Sequence, residues 1–509
     1  MSVNEKQPVL SDNALYSARD EVEYQHEGRD RRPKGRAFYL VGGFVMTILL
    51  FVACGHWMSI NGFQFGHLDL SDIVNQEMRP ATTSYDDSVR LPNYCRNTPQ
   101  RLPSTSQALT MSSGHNITIV QRVEMPDPHD KDMRPLGVSG AIIFRQTDGD
   151  HHADEVEIET IVNDESIQFN SDWDAAAQRL TLVMPHGVKG WRDNLGPCMD
   201  IRVTVWIAPG STVAQLTADT VHLSIDILED LDLQVDDRTT LKTVVRNVNA
   251  PEKKGSRQTP YSLASREIEI ETSSGQVKGW YPLYDLLKIH TASGDITTCV
   301  GQNDAWGSDP KPAVLNVSSI SGTVVVKEEL DTDVPDRDYV VSMRSGSGSL
   351  SGDVAISSRA SFGSVSGSLD LTLLPVLERT TAMAELAPKL ATLTRSGSVK
   401  VNLLEPLWTD GARRSAEAVG VTPLSHLQSE HKSISGDIDL YYPASWTGDF
   451  RAQTMTGSQR FRGDGLHTRK QGGIPKVVVG HKGEGASQLT VETVTGREDF
   501  LVGREDWEL

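Results

Sequence analysis

Three aspartates, Asp295, Asp353 and Asp437, each follow a Ser-Gly pair and precede a β-branched residue. If the fold stacked them in one register, they would form a carboxylate ladder suited to Ca²⁺ or to sugar chemistry. The same placement suits Asp as a turn former, whose side chain bonds nearby backbone amides. A second concentration, Asp148-Gly-Asp-His-His-Ala-Asp154, fails the EF-hand spacing, and its histidines are adjacent instead of four apart on one helix face. It reads as a solvated acidic loop. The chain has no G-x-x-x-x-G-K-[ST], H-E-x-x-H or G-x-G-x-x-G. Leu350 and Val365 stand where G-x-S-x-G needs serine. The Gly/Ser run 345–352 resembles a phosphate loop in composition alone, having neither a lysine nor a following helix. Arg462-Gly-Asp464 is a tripeptide short enough to arise by chance. These patterns call for no metal and no cofactor.

Two sequons, Asn116-Ile-Thr118 and Asn316-Val-Ser318, are candidate glycosylation sites, each inside a strand-like run. Four cysteines are too few for a disulfide scaffold. Cys54 falls in an apolar segment, which leaves Cys95, Cys198 and Cys299. In an oxidising compartment these give one disulfide and a leftover thiol, or no disulfide; the preferred pair is Cys95–Cys198.

The elements that would carry these residues are strands. From about residue 110 apolar residues alternate with period two, as in Glu155-Val-Glu-Ile-Glu-Thr-Ile-Val162 and Ile201-Arg-Val-Thr-Val-Trp-Ile207. Residues 109–258 form a β-rich first half. From 259 to 509 a sentence recurs: an alternating stretch, Ser-Gly, a polar residue, then an aliphatic one. Copies include Glu271-Thr-Ser-Ser-Gly-Gln-Val277, His290-Thr-Ala-Ser-Gly-Asp-Ile296, Thr394-Arg-Ser-Gly-Ser-Val399 and Ser433-Ile-Ser-Gly-Asp-Ile438. Gly275 to Gly294 spans 19 residues, Gly294 to Gly322 spans 28, and Gly436 to Gly457 spans 21. Self-similarity at that period predicts a mainly β fold, a β-solenoid or β-helix-like array of stacked coils, most regular between 315 and 375. Glycine is expected at the corners because a sharp turn demands positive φ. Two segments, 376–391 and 405–430, interrupt the array and read as helical insertions.

The serial Ser-Gly-Asp-Ile/Val sentences, preceded by the strand exit Ile207-Ala-Pro-Gly-Ser-Thr-Val213, resemble the adhesin-like family of β-solenoid domains. That family is common in bacteria and has membrane-anchored relatives in fungi. The resemblance covers roughly 110–500. It implies a non-catalytic surface or scaffold module and brings no catalytic residues. The long loops at 125–155 and 405–430 depart from its compact repeats.

Ahead of the β body, residues 37–60 hold no Lys, Arg, Asp or Glu, and 38–54 are almost continuously apolar. About 20 such residues span a bilayer as a helix, so 37–60 is read as a transmembrane signal-anchor. Thirty-six residues precede it, which argues against a cleaved signal peptide. Arg29, Arg31, Arg32, Lys34 and Arg36 crowd its N-terminal side, and the next cation beyond it is Arg79. The positive-inside rule then places 1–36, a tail without apolar periodicity, in the cytoplasm. The bulk lies outside or in the secretory lumen, and 61–108, rich in proline and polar residues, reads as a stalk.

Lys+Arg 49 against Asp+Glu 68 gives a net charge of −19, unsuited to nucleic acid. The tail holds seven cations and seven carboxylates, so the whole −19 lies beyond the anchor. The expected function is a non-enzymatic single-pass type II membrane protein with an adhesin-like or scaffold β-solenoid, meeting glycans or proteins at the plasma membrane or in the secretory pathway. The alternative is a polysaccharide-active β-helix enzyme, a lyase or hydrolase. The topology predicts that protease added to sealed cells removes the C-terminal bulk and spares an epitope in 1–36. Loss of that epitope alone would refute the extracellular orientation.

Overall fold

The computed structural model describes residues 99–503 except 126–131, 148–153, 194, 254–258, 308–310, 331–333, 378–386 and 409–422. The expected tail, the anchor 37–60, Cys95 and most of the stalk lie outside the described residues. So do the central parts of both expected helical insertions. No helix of the described residues is long and apolar enough to cross a membrane.

The described residues contain strands and turns and no helix. Where the two expected helical insertions are described they hold no helix: Leu369–Leu377 and Lys389–Thr394 flank the first, and Leu407–Trp408 and Gln428–Ser433 flank the second. The expected stalk also ends inside the folded body. Gln100–Arg101 and Thr105–Ala108 pair antiparallel with Glu155–Val162.

Alternation decides the packing. In Ala313–Ser319, Tyr339–Ser345 and Arg359–Ser364 every second side chain is buried. Each of these strands pairs in parallel with the next, residue for residue, so Leu315, Val341 and Ala360 fall in one inward column. After each comes a short corner and a strand of a second sheet. Val324–Glu328, Leu350–Ile356 and Leu369–Leu377 pair in parallel in the same way. Each turn of chain thus gives one strand to each sheet, and the two inward faces share one aliphatic core. Neither face of a single turn can be buried without its neighbours.

The two ends of the stack depart from chain order. Ser487–Thr493 pairs in parallel with both Gln428–Ser433 and Gly448–Thr454, and Glu498–Val502 lies between Ile438–Tyr442 and Gln459–Gly463. The last described turn is therefore sandwiched between two earlier ones. At the other end Asn116–Val123 lies between Ser211–Thr220 and Arg179–Met184, and Gly137–Gln146 lies between Cys198–Ile207 and Ser224–Ile227. The last described turn therefore does not end the stack, whereas the first described strands, Gln100–Arg101 and Thr105–Ala108, pair on one side with Glu155–Val162.

The corner glycines correct the expectation of positive φ. Gly294, Gly322, Gly348, Gly367, Gly397, Gly436 and Gly496 do not adopt the left-handed region. A Cβ at Gly367 would instead lie 2.0 Å from the Gly348 carbonyl oxygen, and one at Gly397 2.0 Å from that of Gly367. Stacking, not backbone conformation, excludes a side chain there. Gly367→Ala should cost about 3 kcal/mol of stability, since backbone must move to admit the methyl group. Gly114 has nothing within 4 Å of its Cβ position, and Gly114→Ala should change stability by less than about 0.5 kcal/mol. Thermal unfolding of the two variants reads the difference, and equal effects would refute the stacking account.

Candidate functional site

The corners are where the repeat's polar residues gather. Three positions before each corner glycine stands a buried Ser or Thr: Thr291, Ser319, Ser345, Ser364, Thr394, Ser433 and Thr493. Ser345 Oγ accepts the Gly348 N–H at 2.9 Å and donates to the Gly322 carbonyl of the preceding turn at 2.9 Å. Ser364 does the same with Gly367 at 2.8 Å and Gly348 at 3.0 Å. Thr394 and Ser433 repeat it, so hydroxyls and glycine backbones form one ladder through the stack. These hydroxyls have both lone pair and proton engaged, which makes them structural and unfit as nucleophiles. The signal for these hydroxyls in the sequence is the pattern [ST]-x-x-G, which overlaps the more conspicuous serine next to glycine. That serine is exposed at the corner glycines from Gly275 to Gly436, as in Ser293, Ser347, Ser366 and Ser435, while Ser351, which is not at a corner, is half-buried.

The residue two before each glycine points outward. Among the described residues ten large hydrophobics are exposed, and five of them hold this position: Ile320, Val365, Ile434, Met455 and Val494. Ile434, Val494 and Met455 are in direct succession, joined by Val494 N–H to Ile434 O at 3.1 Å and Met455 N–H to Val494 O at 3.2 Å. Ser273, Ala292, Gly346 and Arg395 hold the same position in other turns, so the aliphatic groups alternate with polar and small ones, and the run Ile434, Val494, Met455 is its most apolar part.

The three aspartates do not form a ladder. Asp295 and Asp437 do occupy equivalent corners, but the corners between them carry Thr323, Ser349, Ser368 and Ser398. Asp295 accepts the Thr323 N–H at 2.8 Å, and Asp437 accepts the Arg497 N–H at 2.7 Å. Both clamp a neighbouring turn. Asp353 lies inside the strand Leu350–Ile356, paired with Lys327 and Thr372. Its Ser351-Gly352 is not a corner, because Gly348 fills that role. Among the described residues no cluster of three or more His, Cys, Asp or Glu is placed to hold a metal ion. Of the acidic loop 148–154, Asp154 is described; it accepts the Ala208 N–H. In Arg462-Gly-Asp464 the arginine is bound to Asp499 at 3.1 Å.

Asn116 and Asn316 are both exposed, the first at the start of its strand and the second on the outer face of Ala313–Ser319. Cys198 is disulfide-bonded, with its partner outside the described residues, and Cys299 is a free, half-buried thiol whose pKa burial pushes up.

The core hides several ionisable groups. Glu328 ends its strand inside the aliphatic core, where burial raises its pKa to about 7 despite hydrogen bonds from Ala355 N at 2.7 Å and Gln302 Nε2 at 2.6 Å. Glu498 stands in the inward column next to Ile438, and burial raises it to about 7 as well. His431 bridges Thr392 and Tyr442 at 2.8 Å each, and burial lowers its pKa to about 3. Asp285 is buried between Arg266 at 2.6 Å and Arg337 at 3.2 Å. For Glu328 the folded value lies above the ordinary 4.5. The fold therefore holds its proton more tightly than the unfolded chain does. That stability is complete below about pH 4.5 and is lost as pH rises through about 7. Glu328→Gln should match the parent melting temperature near pH 5 and exceed it by a few degrees at about pH 8. A difference independent of pH would refute the buried-carboxyl account.

No protein family matches the chain, and no curated protein does. Two solved structures are similar to it. One is described as a "putative cell adhesion protein" from Clostridium sporogenes, with TM-score 0.16 and 6% identity, covering 79% of this chain and 99% of that one. The other is described as a "putative adhesin" from Parabacteroides distasonis, with TM-score 0.20 and 8% identity, covering 67% and 93%. At these scores the architecture rests on this chain's own strand pairing.

Proposed function

We propose that the chain is a non-enzymatic, single-pass type II membrane protein displaying an adhesin-like β-solenoid outside the cell or in the secretory lumen. The observation that carries this reading is the fate of the repeat's polar groups. The buried hydroxyls and corner aspartates are spent on holding one turn to the next. What faces solvent is an extended aliphatic and hydroxyl edge, the kind of surface that meets a partner. The anchor 37–60 and the basic residues before it support the topology. The disulfide at Cys198 supports an oxidising compartment. With Cys299 free and Cys54 in the expected anchor, Cys95 is the proposed partner, which non-reducing peptide mapping reads as a linked Cys95–Cys198 pair.

Cells displaying the full chain should adhere to protein- or glycan-coated surfaces several-fold better than cells without it, and Asp353→Asn should leave adhesion unchanged. Polysaccharide cleavage by the purified chain, abolished by Asp353→Asn, would overturn the reading in favour of an enzyme.

A further inference from the structure

The two edges of the 16-stranded sheet carry opposite charge. At one end lies Asn170–Asp174, an exposed strand of sequence Asn-Ser-Asp-Trp-Asp, paired on one side with Arg179–Met184. The strand carries Asp172 and Asp174 and no cation. At the opposite end lies Leu466–Gln471, of sequence Leu-His-Thr-Arg-Lys-Gln, exposed beyond its first residue and paired on one side with Lys476–Lys482. The strand carries Arg469 and Lys470 and no carboxylate, in a chain whose net charge is −19. Among the described residues Arg469 and Lys470 have no ion-pair partner, and neither has Asp172.

The polarity of these strands also matches. Arg179–Met184 runs with the parallel strands of the sheet, so Asn170–Asp174 runs against them. Lys476–Lys482 runs against Gly448–Thr454, so Leu466–Gln471 runs with the sheet. Placed end to end in the same sense, two copies would bring these edges together as an antiparallel pair. Each edge has one row of backbone N–H and C=O groups without a strand partner, and a new strand fits at about 4.8 Å. Such edges usually carry charge of one sign as protection from self-pairing. Here each end repels its own kind and attracts the other. That permits head-to-tail contact alone, a heterologous interface that generates open assemblies.

We propose that the occupant of the basic edge Leu466–Gln471 is the acidic edge Asn170–Asp174 of a second copy, so that the molecules associate head to tail by antiparallel strand pairing. This contact is independent of the proposed adhesive role and of what the aliphatic edge binds.

Sedimentation of the full chain in detergent, up to about 100 μM, tests it. At about 20 mM salt the chain should form assemblies larger than dimers, and about 500 mM salt should weaken them at least about tenfold. Arg469→Glu with Lys470→Glu, or Asp172→Lys alone, should return the chain to monomer with its circular dichroism unchanged. An equimolar mixture of those two variants should assemble again, because each reversed edge then meets its complement. A chain monomeric throughout at low salt would overturn the proposal, as would assembly indifferent to both charge reversals. A salt-insensitive dimer lost on Ile434→Glu would also overturn it, assigning self-association to the aliphatic edge.

Discussion

The carbonyl oxygen of one corner glycine lies where the next glycine would carry its Cβ, and the rest of the β body follows from that contact. Parallel pairing sets successive turns about 4.8 Å apart. At that spacing a corner can turn in register with its neighbour only if neither carries a side chain at that position. From Gly275 through Gly496 the close approach is between 1.8 and 2.0 Å at every step of the stack. The buried Ser or Thr three residues earlier then bonds both glycines, its own and its neighbour's, which fixes the phase of every strand that follows. With the corners in phase, the aliphatic columns align without further specification. Residues such as Leu315, Val341 and Ala360 contribute burial instead of register.

Much of this was legible in the sequence, though not always for the right reason. Period-two alternation located the strands because a half-buried strand leaves that trace in any β fold. The Ser-Gly copies located the corners, but the expected positive φ was mistaken. A turn and a close contact both select glycine, and a string of letters does not distinguish them. The misplaced Asp353 has a similar origin. Ser347-Gly348 and Ser351-Gly352 are four residues apart, and only the buried hydroxyl of Ser345, three before Gly348, marks the true corner. The order of the end turns left no local signal at all. That Ser487–Thr493 fills a place between Gln428–Ser433 and Gly448–Thr454 depends on pairing between segments distant in sequence.

The electrostatics divide along the same lines. Carboxylates on the outer faces meet cations across neighbouring strands, as in Glu267 with Arg238 and Glu271 with Lys242 and Lys288. Such exposed pairs contribute little individually. The costly groups are inside, where Glu328 and Glu498 interrupt aliphatic columns and favour the protonated form. The acidity of the chain is therefore not a uniform coat. One edge of the 16-stranded sheet carries Asp172 and Asp174 and the other Arg469 and Lys470, so what the molecule presents to a partner depends on which edge is approached.

Amide hydrogen exchange at the corner glycines tests the central claim most directly. A glycine amide in an ordinary surface turn exchanges at nearly the rate of an open chain. If each corner N–H is held by a buried hydroxyl under the next turn, the amides of Gly322, Gly348, Gly367, Gly397 and Gly436 should be as protected as those of the core strands beside them. Exchange of these five amides at open-chain rates, with the strands still protected, would contradict the account.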